Sequence, residues 1–285
     1  MSFGTWGFKS PFAHKFVASR AADAKVTDAF GFVTFVFGGM AWCRMPMGLG
    51  RHPAAGVTDG IYTSPVSSTA ADDADTSRRL LKLALDDEIS NCRRCDGMNV
   101  KHVTASAPAY GCLTSPVALI GQSLCEKCMQ TRIPFTGGSG ELIERSIKHA
   151  GHEKPDLFIS NAVHCHPPKN RRSHEHEIVN CSPYLHRELE IVRPQLVITL
   201  GRDAERVLSF FYPGARFHPG ARVSSEGFEP PRGRLPKGVP YIFNAKHPSW
   251  VQRQHNQRLE DDYVSSLAAA IRWSFDRAGE KTALS

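Results

Sequence analysis

The chain has 285 residues, which is enough for one large domain or two small ones. It is 41% hydrophobic and 22% charged, as is ordinary for a soluble globular protein, and no run reaches the roughly 18 apolar residues of a membrane span. The net charge of +7 suits a polyanion such as nucleic acid, although many enzymes are simply basic.

Cysteine usage is informative about the cellular compartment. Eight cysteines in a chain of this length are too sparse for a secreted disulfide scaffold. Four of them form two C-x-x-C pairs, at 92–95 and 125–128. This clustering favours metal ligation in a reducing cytosol, and we predict a cytoplasmic protein.

The first 76 residues differ from the rest of the chain. The apolar, aromatic segment 29–42 predicts a strand pair or, alternatively, the hydrophobic part of an export leader. The segment 63–77 is small, polar and acidic, which is typical of a linker. We therefore predict a poorly ordered extension at 1–76, followed by one domain at 78–278.

From residue 77 onward, helical and strand patterns alternate. The predicted elements in chain order are a helix at 77–90, a strand at 117–122, a helix at 139–151, a strand at 156–163, a helix at 173–192 that Pro183 is expected to interrupt, a strand at 194–201, a helix at 202–211, a strand at 240–245 and a helix at 256–277. The strands are continuous apolar runs, as in a parallel sheet covered on both faces. The predicted fold is α/β, a three-layer α/β/α sandwich with a four-stranded parallel central sheet.

The carboxyl ends of parallel strands are where such folds bind ligands. Gly121 and Gln122 follow the first strand, Asn161 ends the second and His247 follows the fourth, while Phe135 lies in the loop beyond Gln122. An amide pairs with the edge of a base, an aromatic ring stacks on it, and a histidine donates to developing negative charge. Each residue also has a plain structural interpretation, as a strand-end cap, a core ring or a turn histidine.

Four segments together resemble a known family. They are "IPFTGGSGELIERSI" (133–147), "NAVHCHPPKNRRSHEHEIVNCSPYL" (161–185), "PQLVITLGRDAERVL" (194–208) and "HPSW" (247–250). This set is similar to the uracil-DNA glycosylase superfamily, most closely its family 4 type, which carries an iron–sulfur cluster. The resemblance covers roughly residues 85–275. It implies a monomeric DNA-repair hydrolase that flips uracil, or a related damaged base, out of DNA and cleaves its N-glycosidic bond with water.

The resemblance also implies roles for the residues at the strand ends. Gln122 would place the water, His247 would stabilise the leaving base, and the base pocket would comprise Gly121, Phe135 and Asn161. Basic residues beside the crevice at these strand ends would contact DNA phosphates. Alternatively, they form a solvated face. They are Lys169, Arg171, Arg172 and Arg253.

Two metal sites are compatible with the cysteines. Spacing alone permits zinc on the two C-x-x-C pairs, Cys92, Cys95, Cys125 and Cys128. The resemblance implies instead a [4Fe–4S] cluster, whose four thiolate ligands would be Cys92, Cys95, Cys165 and Cys181. The pair at 125 and 128 is then left over, and a nucleophilic or redox-sensing role for one of its thiols stays open.

The first motif of the family departs from its usual form in this chain. It normally reads Gly-Glu-Ala-Pro-Gly with a later Glu, whereas residues 121–125 read Gly-Gln-Ser-Leu-Cys and the later position is Cys128. Glutamine orients a water molecule but supplies no charge and accepts no proton. Glu126 is the remaining carboxylate of the loop. The hypotheses are thus an active but divergent glycosylase or a non-catalytic DNA-lesion binder. A related branch of the superfamily captures the sugar covalently through a histidine in a basic loop, which residues 169–174 resemble faintly. This chain lacks that branch's insertion, so His174 is interpreted as a helix N-terminal residue.

Overall fold

The computed structural model describes residues 70–213, 215, 217–218, 227–230 and 237–283. The predicted strand pair or leader at 29–42 and most of the predicted extension at 1–76 lie outside these residues. Residues 70–76, which were expected to end a linker, instead begin the first helix. Asp72 and Asp73 lie in its first turn, where carboxylates stabilise a helix, and Asp75 pairs with Arg79 one turn later at 2.7 Å.

The described residues contain helices and strands in the predicted alternation. The helices are α1 Ala70–Ser90, α2 Glu126–Thr131, α3 Gly140–His149, α4 Glu175–Val192, α5 Arg202–Phe211, α6 Pro248–Gln252 and α7 Gln257–Ala283. The strands are β1 Tyr110–Gly111, β2 Val117–Ser123, β3 Phe158–Val163, β4 Leu196–Leu200, β5 Phe217–His218 and β6 Tyr241–Ala245. The short helices α2 and α6 fall in segments for which no helix was predicted.

The strands form one sheet in the order β1-β3-β2-β4-β6-β5. Its four central strands are the predicted ones and run parallel. Two-residue strands extend the sheet at each edge, β1 antiparallel to β3 and β5 parallel to β6, so the predicted four-stranded sheet has six strands. Strands of two residues are too short to carry a hydrophobic pattern, which is why the sequence did not reveal them.

Helices cover both faces of the sheet, which confirms the predicted three-layer α/β/α class. Along β2, Ala118 and Ile120 pack in the core with α1, α4 and α5, whereas Val117 and Leu119 pack in the core with α3 and α7. Successive residues of a strand point to opposite faces. All four side chains are buried because helices cover both of these faces. The loops at the carboxyl ends of the strands therefore stand on a rigid double-sided core.

Helix α4 runs through Pro183 without the predicted interruption. Proline lacks an N–H, so the carbonyl of Val179 receives no backbone hydrogen bond from that position. The hydroxyl of Ser182 donates to the Val179 carbonyl at 3.0 Å in its place. This side-chain substitute keeps α4 continuous, and Cys181 consequently stays in a regular helical turn.

Among the described residues, no helix is both long enough and apolar enough to cross a membrane.

Candidate active site and cysteine pocket

Three of the predicted base-pocket residues come together at the ends of β2 and β3. The parallel register places Gly121 directly beside Asn161. A Cβ atom on Gly121 would collide with Oδ1 of Asn161 and would lie 2.7 Å from Cζ of Phe135. The absence of a side chain at Gly121 therefore permits the amide and the ring to approach each other.

Asn161 presents an uncommitted amide. The residue is only 4% exposed, yet its side chain makes no hydrogen bond to any of the residues that the structure describes. A buried amide usually has partners, because leaving it unpaired costs about 1–3 kcal/mol. An amide in this state, at the carboxyl end of a parallel strand, is ready to bind a polar ligand.

The ring of Phe135 is held by a constrained backbone. Its φ angle is +55°, in the left-handed region that non-glycine residues rarely adopt. The Lys154 ammonium donates to the Phe135 carbonyl at 3.0 Å, and Gly140 packs so closely under this backbone that a Cβ there would clash. Backbone strain of this kind is concentrated at ligand-binding positions. Phe135 is thus fixed beside Asn161.

His247 lies at the neighbouring ends of β4 and β6 and caps α6. Its Nδ1 accepts from the backbone N–H of Ser249 at 3.2 Å, so the ring proton of the neutral imidazole is assigned to Nε2. Burial, together with the nearby Arg253, lowers the pKa of His247 despite the opposing effect of Asp203. The ring packs closely on Gly201, where a Cβ would lie 3.1 Å from Cβ of His247. The result is a neutral imidazole whose Nε2–H has no hydrogen-bond partner within the described ranges.

The loop after Gln122 contains the C-x-x-C pair Cys125 and Cys128, for which zinc binding was one alternative. Gln122 is half-buried at the end of β2, and its amide is unpaired within the described residues. Cys125 and Cys128 form a disulfide, and Cys128 packs with Leu124 in a small apolar cluster of its own. This arrangement contradicts the zinc alternative. It also leaves neither sulfur as the free thiolate that a nucleophile or sensor needs.

Four further cysteines line one pocket. Cys92 and Cys95 follow α1, Cys165 follows β3 and Cys181 lies in α4. All four are free thiols. Burial is the main cause that raises the pKa of Cys165 strongly above its usual range, and the neighbouring sulfur groups raise it further. Thiolates gathered here therefore require a compensating positive centre, and a metal that coordinates a thiol deprotonates it.

This pocket does not have the geometry of a single-ion site. In the described ranges, no three His, Cys, Asp or Glu side chains surround one ion position. Tetrahedral zinc, with Zn–S bonds of about 2.3 Å, needs its sulfur ligands about 3.8 Å apart. A four-iron cluster spreads its thiolates more widely because each binds a different iron. The donor set of four cysteines is the one that such a cluster uses.

Comparisons with known proteins identify the family of the chain. The sequence profile of the uracil DNA glycosylase superfamily matches residues 108–270. The chain belongs to the uracil-DNA glycosylase superfamily. It is 29% identical to the type-4 uracil-DNA glycosylase of Sulfurisphaera tokodaii over 188 residues, which are 65% of this chain and 83% of the relative. It is 30% identical to that of Pyrobaculum aerophilum over 189 residues, 66% and 92% of the two chains.

A further relative extends the likeness within the superfamily. A type-5 uracil-DNA glycosylase of Pyrobaculum aerophilum is 50% identical over 52 residues, which cover 18% of this chain and 23% of that protein. The suspected superfamily, with type-4 glycosylases as close relatives, is therefore confirmed.

The basic residues beside the glycosylase crevice fall into two groups. Arg171 makes a two-bond ion pair with Glu177, at 2.9 and 2.5 Å, and this carboxylate is 1% exposed. Arg172 is 75% exposed and approaches Asp203 at 3.5 Å. Lys169 and Arg253 are exposed and make no ion pair among the described residues. Arg171 is thus occupied, whereas the other three reach solvent.

His174 has the helix-terminal position that was predicted for it. It caps α4 and its backbone N–H donates to Glu177 at 2.7 Å. Glu126, the remaining carboxylate of the first motif, is exposed and lies 3.4 Å from the side chain of Asn170. Its contact is therefore with the loop after β3.

Sequence reasoning missed a buried pair next to the cysteine pocket. His164 and Glu188 are buried together beside Cys181. Burial disfavours their charges, but mutual attraction outweighs it, raising the pKa of His164 and lowering that of Glu188. A signal existed in the sequence, because Glu188 follows Cys181 by two helical turns and so shares its face of α4.

Proposed function

We propose that the protein is a DNA-repair glycosylase that flips uracil, or a related damaged base, out of DNA and hydrolyses its N-glycosidic bond. The observation that carries this proposal is the meeting of an unpaired, buried Asn161 amide with the constrained ring of Phe135 at a parallel-strand end. An amide beside an aromatic surface recognises a nucleobase by its edge and its face. The type-4 relatives support the same activity.

Base binding would use three residues. The Asn161 amide offers both a donor and an acceptor to the Watson–Crick edge of uracil. Phe135 would stack on the face of the base, and Gly121 lets the Asn161 amide and the Phe135 ring lie side by side. Because the amide makes no hydrogen bond to the described residues, the base replaces none of these when it enters.

His247 would stabilise the departing base. As the N-glycosidic bond stretches, negative charge develops on the base and positive charge on the sugar. The Nε2–H of a neutral imidazole donates a hydrogen bond to an anionic oxygen of the base without surrendering its proton. Ser249 holds the opposite ring nitrogen as an acceptor, which fixes this orientation.

Gln122 would place the attacking water at the sugar. Its amide accepts from the water and positions it, but it neither removes a proton nor offsets the cationic sugar. Loss of an acid–base group typically costs about 10²–10⁴-fold in rate. We therefore infer a glycosylase that is slower on uracil than a relative with the carboxylate, or one adapted to another base.

The four-cysteine pocket is proposed to hold a [4Fe–4S] cluster. Cys92 and Cys95 would bring the end of α1, Cys165 the segment after β3, and Cys181 helix α4. Such a cluster supplies a covalent cross-link among these segments beside the crevice. The segment after Cys165, which carries Lys169 and Arg172, would in this way be tethered to α1 and α4.

DNA binding by a monomer is proposed to use the exposed cations. Replacing Arg172 by alanine is expected to weaken DNA binding equally across sequences and to reduce the salt slope by about 0.7–0.9, because one phosphate contact is lost. Arg171→Ala is the matched variant. It should instead lower stability by about 1–3 kcal/mol, since the buried Glu177 loses its cation and keeps the backbone N–H of His174 as a donor. Filter binding at several salt concentrations and urea unfolding separate the two effects, and a sequence-dependent loss in the Arg172 variant would contradict the phosphate role.

The second candidate function is a DNA-lesion binder without catalysis. The observation that favours it is glutamine at position 122 together with a disulfide in the loop where the family's first motif continues. The base pocket would be used in the same way, but bond cleavage would not follow.

His247→Gln tests the catalytic proposal. We expect excision of uracil from a labelled oligonucleotide to slow by about 10²–10³-fold, the usual cost of removing one such donor, while DNA affinity stays unchanged. The wild-type rate should not fall between pH 6.5 and 8, because a histidine with a lowered pKa is already neutral there. A rate that declines as the pH rises through this window would show that the charged imidazolium is the active form.

A further inference from the structure

A buried chain of polar groups begins at one sulfur of the cysteine pocket. Two donors of His164 face the Sγ of Cys181: the backbone N–H at 3.2 Å and Nδ1 of the ring, also at 3.2 Å. The other ring nitrogen, Nε2, lies 3.0 Å from Oε2 of Glu188. His164 is 2% exposed and Glu188 is fully buried. The imidazole thus bridges a sulfur and a carboxylate in the interior.

Glu188 is fixed at the far end of this chain. The hydroxyl of Ser160 donates to its Oε2 at 2.6 Å, and the backbone N–H of Ala109 donates to its Oε1 at 3.0 Å. Three elements therefore orient the carboxylate, namely α4, β3 and the segment before β1. The carboxylate in turn orients the imidazole, because both ring nitrogens of His164 have a defined partner.

Simple packing does not account for this arrangement. Burying a histidine and a glutamate costs several kcal/mol of desolvation per group, and an apolar pair of similar volume packs at least as well. The ring faces a sulfur rather than another carbonyl or a water-filled space. A metal-bound thiolate carries no S–H and is only an acceptor, as is the carboxylate. Nδ1 is then the ring nitrogen placed to donate to this sulfur.

We propose that His164 is a positioning residue for the iron–sulfur cluster: it donates from Nδ1 to the Cys181 sulfur, retains the cluster and raises its reduction potential, with Glu188 holding the ring. This inference rests on the proposed cluster. Hydrogen bonds to ligand sulfurs draw electron density away from the irons and favour the reduced form. Groups that orient ligands typically contribute 10–100-fold to metal affinity.

His166 provides a matched control. It flanks Cys165 on the opposite side from His164, and it is also buried. Its Nδ1, however, lies 2.8 Å from the carbonyl of Leu124 rather than near a sulfur. Replacing it perturbs packing beside the same cysteine without removing a donor to any cluster ligand.

The test uses anaerobically purified full-length protein and two readouts that do not involve excision. These are the midpoint potential of the cluster and the rate of iron loss to a chelator. His164→Leu should lower the midpoint potential and speed iron loss by about 10–100-fold. His164→Asn, whose amide reaches the position of Nδ1, should restore most of the potential. His166→Leu should leave the potential at the wild-type value.

Glu188→Gln keeps the test decisive if His164→Leu fails to fold. It preserves the volume and one acceptor, and it should shift the potential in the same direction by a smaller amount. Equal potentials in the His164, Glu188 and His166 variants and the wild type would overturn the inference while leaving the cluster itself in place. Wild-type protein that contains no iron would overturn the proposed cluster, and this inference with it.

Discussion

Gln122→Glu is expected to increase the single-turnover rate of uracil excision by about 10²-fold, within the 10²–10⁴-fold range of an acid–base group. The glutamate side chain has nearly the same size as glutamine, and it would occupy the same half-buried position at the end of β2. It adds the charge that stabilises a cationic sugar and a base that accepts a proton from the water. The measurement is the cleavage of an alkali-treated, labelled oligonucleotide after reaction with excess enzyme.

Gln122→Ala is the control for this experiment. It removes the amide that places the water, so its rate should fall below that of the wild type, while binding to uracil-containing DNA stays unchanged. A Gln122→Glu variant no faster than the wild type would mean that the missing carboxylate does not limit the reaction. The lesion-binding alternative would then gain support.

Cys181→Ala is expected to abolish the bound iron and to lower the unfolding temperature. The proposed cluster has four irons and cross-links three segments, so loss of one buried ligand should release the metal and leave the remaining thiols uncompensated. Iron and sulfide analysis, absorption near 400 nm and thermal unfolding measure the effect.

Cys128→Ala separates the two cysteine groups. Cys128 is as buried as Cys181, but it lies in a different cluster and is bonded to Cys125. Its replacement should leave the iron content unchanged. Loss of metal in the Cys128 variant but not in the Cys181 variant would contradict the ligand assignment and return the zinc hypothesis to consideration.

The sequence was sufficient for the sheet and for the pairing of Gly121 with Asn161 because both depend on strand patterns. Continuous apolar runs identified the four parallel strands, and parallel strands bring their carboxyl ends to one edge. Gly121 and Asn161 were therefore expected to be neighbours, and the register places them side by side. The strained backbone of Phe135 was not visible in the sequence, because it depends on Gly140 and Lys154.

The sequence pattern did not predict which side chains pair with each other in the folded protein. Arg171 was expected to contact phosphate, yet a buried carboxylate six residues later occupies it. His164 and Glu188 are separated by 24 residues and meet only when α4 packs on β3. The prediction of a linker at 70–76 was wrong, because these residues begin α1. The acidic residues were interpreted as linker composition, but carboxylates also stabilise the first turn of a helix. For Arg171 and for His164 the missing information was the partner side chain, which the local sequence pattern does not contain.

Release of free uracil is the most direct measurement of the central claim. Purified protein with intact iron would be incubated with single- and double-stranded oligonucleotides that contain one uracil, and the liberated base would be measured by chromatography. The account predicts free uracil from the wild type and none from Asn161→Ala, which lacks the amide of the base pocket. No uracil from iron-loaded wild-type protein that binds the oligonucleotide would contradict uracil excision, and equal release from both proteins would contradict the assigned pocket.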